Sequence, residues 1–157
     1  YLLKPVPIMI ILMMILLMLE LQDVRKLFII ICTVPLGIIG VVWGLLFFGS
    51  TMGIMAELGI LALAGIIIRN SVVLIDQIKQ HLDMGMPGMK AITESAIVRF
   101  RPIMLAAFTT VLGLIPLFAS DFWNAIAVTI AAGLTGATLL TLVILPVLYA
   151  IIFKIKN

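Results

Sequence analysis

Five apolar runs, separated by polar connections, leave this chain little choice but to fold across a lipid bilayer. They cover residues 5–19, 27–48, 54–75, 102–119 and 125–153. A helical crossing needs about 20 apolar residues at roughly 1.5 Å each. The chain has 157 residues, 64% of them hydrophobic and 11% charged, so these runs consume most of it. In hydrocarbon every backbone N–H and C=O must be satisfied within the spanning segment, which selects helices over open strands. The expected fold class is all-α integral membrane, a bundle of five transmembrane helices. The first run is short and the last is long, with Pro146 expected to bend it near its end.

The charges sort themselves along this pattern. Arg25, Lys26, Lys79, Lys90, Arg99, Arg101, Lys154 and Lys156 occupy alternate connections and the tail, whereas residues 49–53 and 120–124 contain no Lys or Arg. This positive-inside asymmetry places the carboxyl terminus in the cytoplasm and the amino end opposite. Lys4 then marks the outer start of the first run, and Phe122 and Trp123 suit an outer aromatic belt. The cytoplasmic connection 77–101 is punctuated by Met86-Pro87-Gly88. Its weakly amphipathic Ala91, Ile92, Ser95, Ala96 and Val98 predict one short interfacial helix, with the next span launched at Pro102.

Little is left over for other chemistry. The net charge of +3 lies beside the spans rather than in a patch, which argues against nucleic acid. Cys32 is alone in an apolar run and His81 is alone in a polar connection, so neither a metal cluster nor a catalytic triad can be assembled. No enzyme activity, metal or cofactor is expected. The chain begins at Tyr1, almost directly in an apolar run without the layout of a signal peptide, and the expectation is a piece of a longer protein.

One residue breaks the apolar pattern. Arg69, followed by Asn70, interrupts the run from Gly59 to Ile75. A charge at such depth is costly unless a partner or a wet cavity receives it, so it marks a functional position; the alternative is snorkelling toward Asp76, roughly 10 Å along the helix. Ala62, Gly65, Arg69 and Asp76 recur at i, i+3, i+7 and i+14, on one helical face. Its small residues predict that this face points into the bundle. No other run offers a carboxylate at the same depth, so a counter-charge must come from outside these residues. Small residues also mark packing faces elsewhere: Gly40 and Gly44 in the second run, and Thr129, Gly133, Ala137 and Thr141 in the fifth.

Three segments together resemble a known family. They are AGIIIRNSVVLIDQI (64–78), RFRPIMLAAFTTVLGLIPLF (99–118) and the closing VILPVLYAIIF (143–153). The chain resembles, over essentially its whole length, the eighth to twelfth membrane helices of resistance-nodulation-division (RND) multidrug efflux permeases. The resemblance implies a proton-driven antiporter exporting hydrophobic or amphiphilic drugs from the bacterial inner membrane. It further implies a homotrimer, embedded in lipid, that joins a periplasmic adaptor and an outer-membrane channel. The family's periplasmic domains have no counterpart in these residues. Arg69 matches a basic position, usually lysine, that pairs with two proton-binding aspartates on a helix outside this sequence. Asn70 is its neighbour, and Arg99 matches a basic residue linked to the proton path. The family's threonine in that polar cluster falls here on Ala106, which leaves Thr110, one turn on, as the replacement.

Two other readings remain open. A metal-exporting RND permease would use methionine, and Met9, Met13, Met14 and Met18 gather in the first run, where methionine also serves as ordinary apolar filler. A non-transporting, sterol-sensing-like membrane module would have no use for Arg69 and Arg99.

Overall fold

The computed structural model describes residues 4–154; Lys156, counted above with the tail, lies outside them. Among the described residues all regular structure is helical, in the order α1 (Val6–Leu21), α2 (Val24–Phe48), α3 (Ile54–Asp83), α4 (Gly88–Phe118) and α5 (Asn124–Ile152). The four helices from α2 onward are long and apolar enough to cross a membrane; α1 has 16 residues.

Helix ends follow from local chemistry. Asp23 caps α2 by accepting the Arg25 backbone N–H at 2.9 Å, which satisfies one of the orphan donors of the first turn. Gly49 ends α2 with φ of +63°, a left-handed conformation that glycine adopts without steric cost. At the far end of the bundle Asn124 fixes the α4–α5 turn: its amide donates to the Phe118 carbonyl at 2.9 Å, and its side-chain oxygen accepts from Ser50 at 2.9 Å.

The connection 77–101 differs from the sequence reading. There is no separate short helix and Pro102 starts nothing. α3 runs on to Asp83, and residues 88–101 are the first part of α4, which passes through Pro102. The reason is packing. Ala91, Ile92 and Ser95 are buried, with Ile92 in the same core cluster as Ile78 of α3, so the amphipathic face meets the other arm of a helical hairpin. At about 1.5 Å per residue, helices of 30 and 31 residues exceed a hydrocarbon layer of about 30 Å, which accounts for their polar extensions.

Two apolar clusters hold the bundle. One, at the end where the basic connections gather, joins Leu27, Ile30, Ile75, Ile78, Ile92 and Tyr149; Arg25 lies 5.8 Å over the ring of Phe153 there. The other joins Val41, Leu63, Val128 and Leu134 toward the opposite end. Between apolar helices in lipid the driving force is close packing rather than water exclusion. The α2–α5 seam shows it: a Cβ built on Gly40 would lie 3.0 Å from the Ala132 carbonyl oxygen and 3.2 Å from Gly133 Cα, and one on Gly136 would lie 3.0 Å from Gly40 Cα. Gly44 faces the Ala132 methyl, and Gly133 faces Leu63. Ala137 is buried in the same region. Gly65 is different, because a Cβ there meets nothing within 4 Å.

Candidate functional site

α3 buries Leu63, Ile67, Ser71, Leu74 and Ile78, a stripe that keeps one side of the helix against its neighbours. Ser71 bonds the Thr33 hydroxyl of α2 at 3.1 Å within that contact. At about 100° per residue, Ala62, Gly65, Arg69 and Asp76 fall roughly on the opposite side, and all four are exposed. The face expected to point into a bundle is thus uncovered among the described residues. α3 reaches α2 and α5 through its branched aliphatic stripe, which leaves the small-residue face outward.

Arg69 sits at the margin of that open face, beside α4. A cavity of about 330 Å³ lies between them, and all four polar positions named from the sequence line it: Arg69 and Asn70 from α3, Arg99 and Thr110 from α4. Pro102, Ile103 and Ala106 continue the α4 wall between Arg99 and Thr110, three to four residues separating successive turns. Thr110 donates its hydroxyl proton to the Ala106 carbonyl at 2.8 Å, which leaves its oxygen able to accept. Thr109 makes the equivalent bond to Leu105 and does not line the cavity.

The electrostatics are one-sided. The lining residues include two guanidinium groups and no carboxylate. Among the described residues neither arginine makes a hydrogen bond or ion pair, and the Arg99 Nε is buried without an acceptor. Arginine does not give up its proton in proteins, so both charges persist. Two positive charges without a carboxylate in the lining can attract an anion or an acidic side chain.

A further polar group escaped the sequence reading. His81 is not in a loose connection but in the last turn of α3, and it is 8% exposed. Ser95 donates to the Ala91 carbonyl at 2.6 Å, so its oxygen accepts from His81 Nδ1–H at 2.8 Å; Nε2 then accepts from the Gln77 amide at 3.2 Å. This bonding pattern satisfies both ring nitrogens. It locks α3 to α4 at the base of the hairpin that carries the two arginines. Only the i, i+4 spacing of Gln77 and His81 could have hinted at it.

Comparison with known proteins places this geometry. The AcrB/AcrD/AcrF family model matches residues 2–153. The chain is similar to the swarming motility protein SwrC of Bacillus subtilis (strain 168), at 34% identity over 83% of this chain and 13% of that protein. It is similar to the nickel and cobalt resistance protein CnrA of Cupriavidus metallidurans, at 35% identity over 80% of this chain and 12% of that one. For the multidrug resistance protein MdtC of Erwinia amylovora the figures are 32%, 82% and 13%. A crystal structure of a heavy metal efflux pump superposes with a TM-score of 0.80 at 29% identity, covering 96% of this chain and 15% of that one. The chain thus spans about an eighth of the length of the curated relatives it matches. It belongs to the AcrB/AcrD/AcrF family, the resistance-nodulation-division efflux permeases, which are multi-pass transporters of the bacterial inner membrane.

Proposed function

We propose that this chain forms part of a proton-driven exporter in which Arg69 is an electrostatic gate for proton-binding acids on a helix outside these residues. The observation that carries the reading is Arg69 itself: a permanent cation in an apolar helix, without a partner among the described residues, at the edge of an open face bearing Ala62 and Gly65. Small residues let another helix approach closely. A carboxylate on that helix would be held ionised by the guanidinium, and protonating it would weaken the pair and free the cation to move. Arg69 gates without carrying the proton, because it stays charged throughout. Arg99 adds a second cation to the same cavity, while Asn70 and Thr110 supply neutral hydrogen-bonding groups.

For the cargo we favour hydrophobic or amphiphilic drugs, exported by a homotrimer joined to a periplasmic adaptor and an outer-membrane channel, with the carboxyl terminus cytoplasmic. Metal export is the second reading. CnrA and the heavy metal efflux pump support it as strongly as MdtC supports the first. The α1 methionines favour neither, since Met9 and Met18 are exposed and Met13 and Met14 pack on the apolar cluster.

The test is Arg69→Ala and Arg69→Gln in the transporter, with export measured at matched membrane expression. Both lose export, and Arg69→Lys keeps part of it. Undiminished export by Arg69→Gln at normal expression would sink the gating role. Drug and metal susceptibility of the same strains separates the two cargoes.

A further inference from the structure

Beside the arginine cavity lies a second, much smaller space of about 10 Å³, bounded by α3, α4 and α5. Asn70, Ile103 and Leu134 border both spaces; Thr138 and Thr141 border the small one and not the arginine cavity, and Thr138 also borders a third cavity of about 190 Å³ between α4 and α5. These two threonines stand one turn apart on α5 and are 4% and 6% exposed. Their hydroxyl oxygens are buried and have no hydrogen-bond partner among the described residues.

That is unlike the other helical threonines. Thr93, Thr109, Thr110, Thr129 and Thr135 each donate to the carbonyl four residues back, at 2.7–3.0 Å. Such back-bonding is the ordinary way a threonine satisfies itself in a helix. Thr138 and Thr141 forgo it, leaving two hydroxyls beside a common space. Buried polar groups are paired with protein or with ordered water. A space of about 10–15 Å³ admits one water molecule, which needs two to four polar partners. Thr138 and Thr141 each offer a donor and an acceptor, and the Asn70 amide offers both kinds. A dehydrated divalent cation is a poor fit, since hard cations take about six or more oxygens and usually a carboxylate, and no carboxylate borders the space.

We propose that Thr138, Thr141 and Asn70 hold one internal water molecule that ties the Asn70 side chain on α3 to α5. α5 carries no charged residue between Asn124 and Ile152, yet through this water it is tied to Asn70, which lines the arginine cavity beside Arg69. Asn70 becomes the shared group between the two spaces, so a turn of its amide is felt in both. Occupancy of the site does not depend on what Arg69 does.

The experiment is water-edited solid-state NMR on the isotopically labelled protein in lipid bilayers. Magnetisation from water should reach Thr138 and Thr141 several-fold faster than Ile29 and Val128, which are fully buried. The neighbouring Ala137 methyl should share in it. Thr138→Val with Thr141→Val, which keeps the shape and removes both hydroxyls, should abolish transfer to Ala137; the corresponding serine pair should retain it. Transfer to Thr138 and Thr141 as slow as to Val128 would overturn the proposal, as would an Ala137 signal indifferent to the valine pair. If the valine pair fails to fold, the wild-type rates and the serine pair still decide. Export by the Arg69 variants is a separate readout, so failure there leaves this result standing.

Discussion

Moving one methyl group from α5 to α2 tests how closely these helices are fitted. A Cβ on Gly44 would overlap the Ala132 Cβ, while its next neighbours, Ala132 Cα at 3.6 Å and the Val128 carbonyl oxygen at 3.7 Å, are at ordinary contact. The obstruction is thus a single methyl fixed to the backbone, with no side-chain torsion by which to yield. Overpacking of this kind costs about 1–3 kcal/mol. Alanine in place of glycine returns about 1 kcal/mol of helix propensity, so Gly44→Ala alone should destabilise by about 0–2 kcal/mol. Ala132→Gly alone should cost about 1 kcal/mol by the same propensity difference. Combined, the propensity terms cancel and the clash disappears, leaving the double variant near wild type. The coupling is then about −1 to −3 kcal/mol, within the usual range for residues in direct contact. Unfolding of the four proteins in lipid–detergent bicelles, followed by steric trapping, measures it. Strictly additive effects would mean that α2 and α5 do not meet at this register, and the seam described here would be wrong.

Other substitutions probe the remaining contacts. Gly65→Ala meets open space, so stability should rise by up to about 1 kcal/mol from helix propensity; a clear loss in the same unfolding assay would place an unseen neighbour against α3 within this chain. Ser95→Ala removes the 2.8 Å acceptor of the buried His81 Nδ1–H and leaves it only the Ala91 carbonyl at 3.4 Å. A cost of about 1–3 kcal/mol is expected for the stranded donor, together with faster amide hydrogen exchange in residues 77–100. Unchanged exchange there would deny the histidine its locking role.

Much of this architecture can be read from the chain, because apolar length is a one-dimensional signal. All five runs become helices, and the connections that carry the basic residues gather at one end of the bundle. What stayed hidden depends on partners in space. The amphipathic stretch from Ala91 to Val98 has the same periodicity whether it faces lipid or another helix, and only Ile78 and His81 opposite decide between them. Likewise Ala62 and Gly65 signal that a helix can approach, without saying which one. Among the described residues none does, because Leu63, Ile67 and Leu74 orient α3 the other way. Arg69 and Asn70 stand out in the sequence because charge and amide groups are rare in such runs, whereas Arg99 and Thr110 are named only through the family resemblance. Thr138 and Thr141 do not stand out, since a helical threonine satisfies itself by default.

These two kinds of helix contact divide the bundle by what can move. The α2–α5 seam is set by backbone against backbone, where a gap of about 0.5–1 Å already forfeits about a quarter to a half of the contact energy. On the other side, α3 and α4 line a cavity of about 330 Å³ with two arginines that are unpaired among the described residues, and the firm tie between the helices lies away from it, at His81 and Ser95. An arginine held in such a space can change partner by rotating its own side chain, without breaking the packing of α2 on α5. The proposed protonation-driven gate would use that separation: a rigid frame to keep an acid on another helix at a fixed distance, and a cation whose own contacts are few enough to be exchanged.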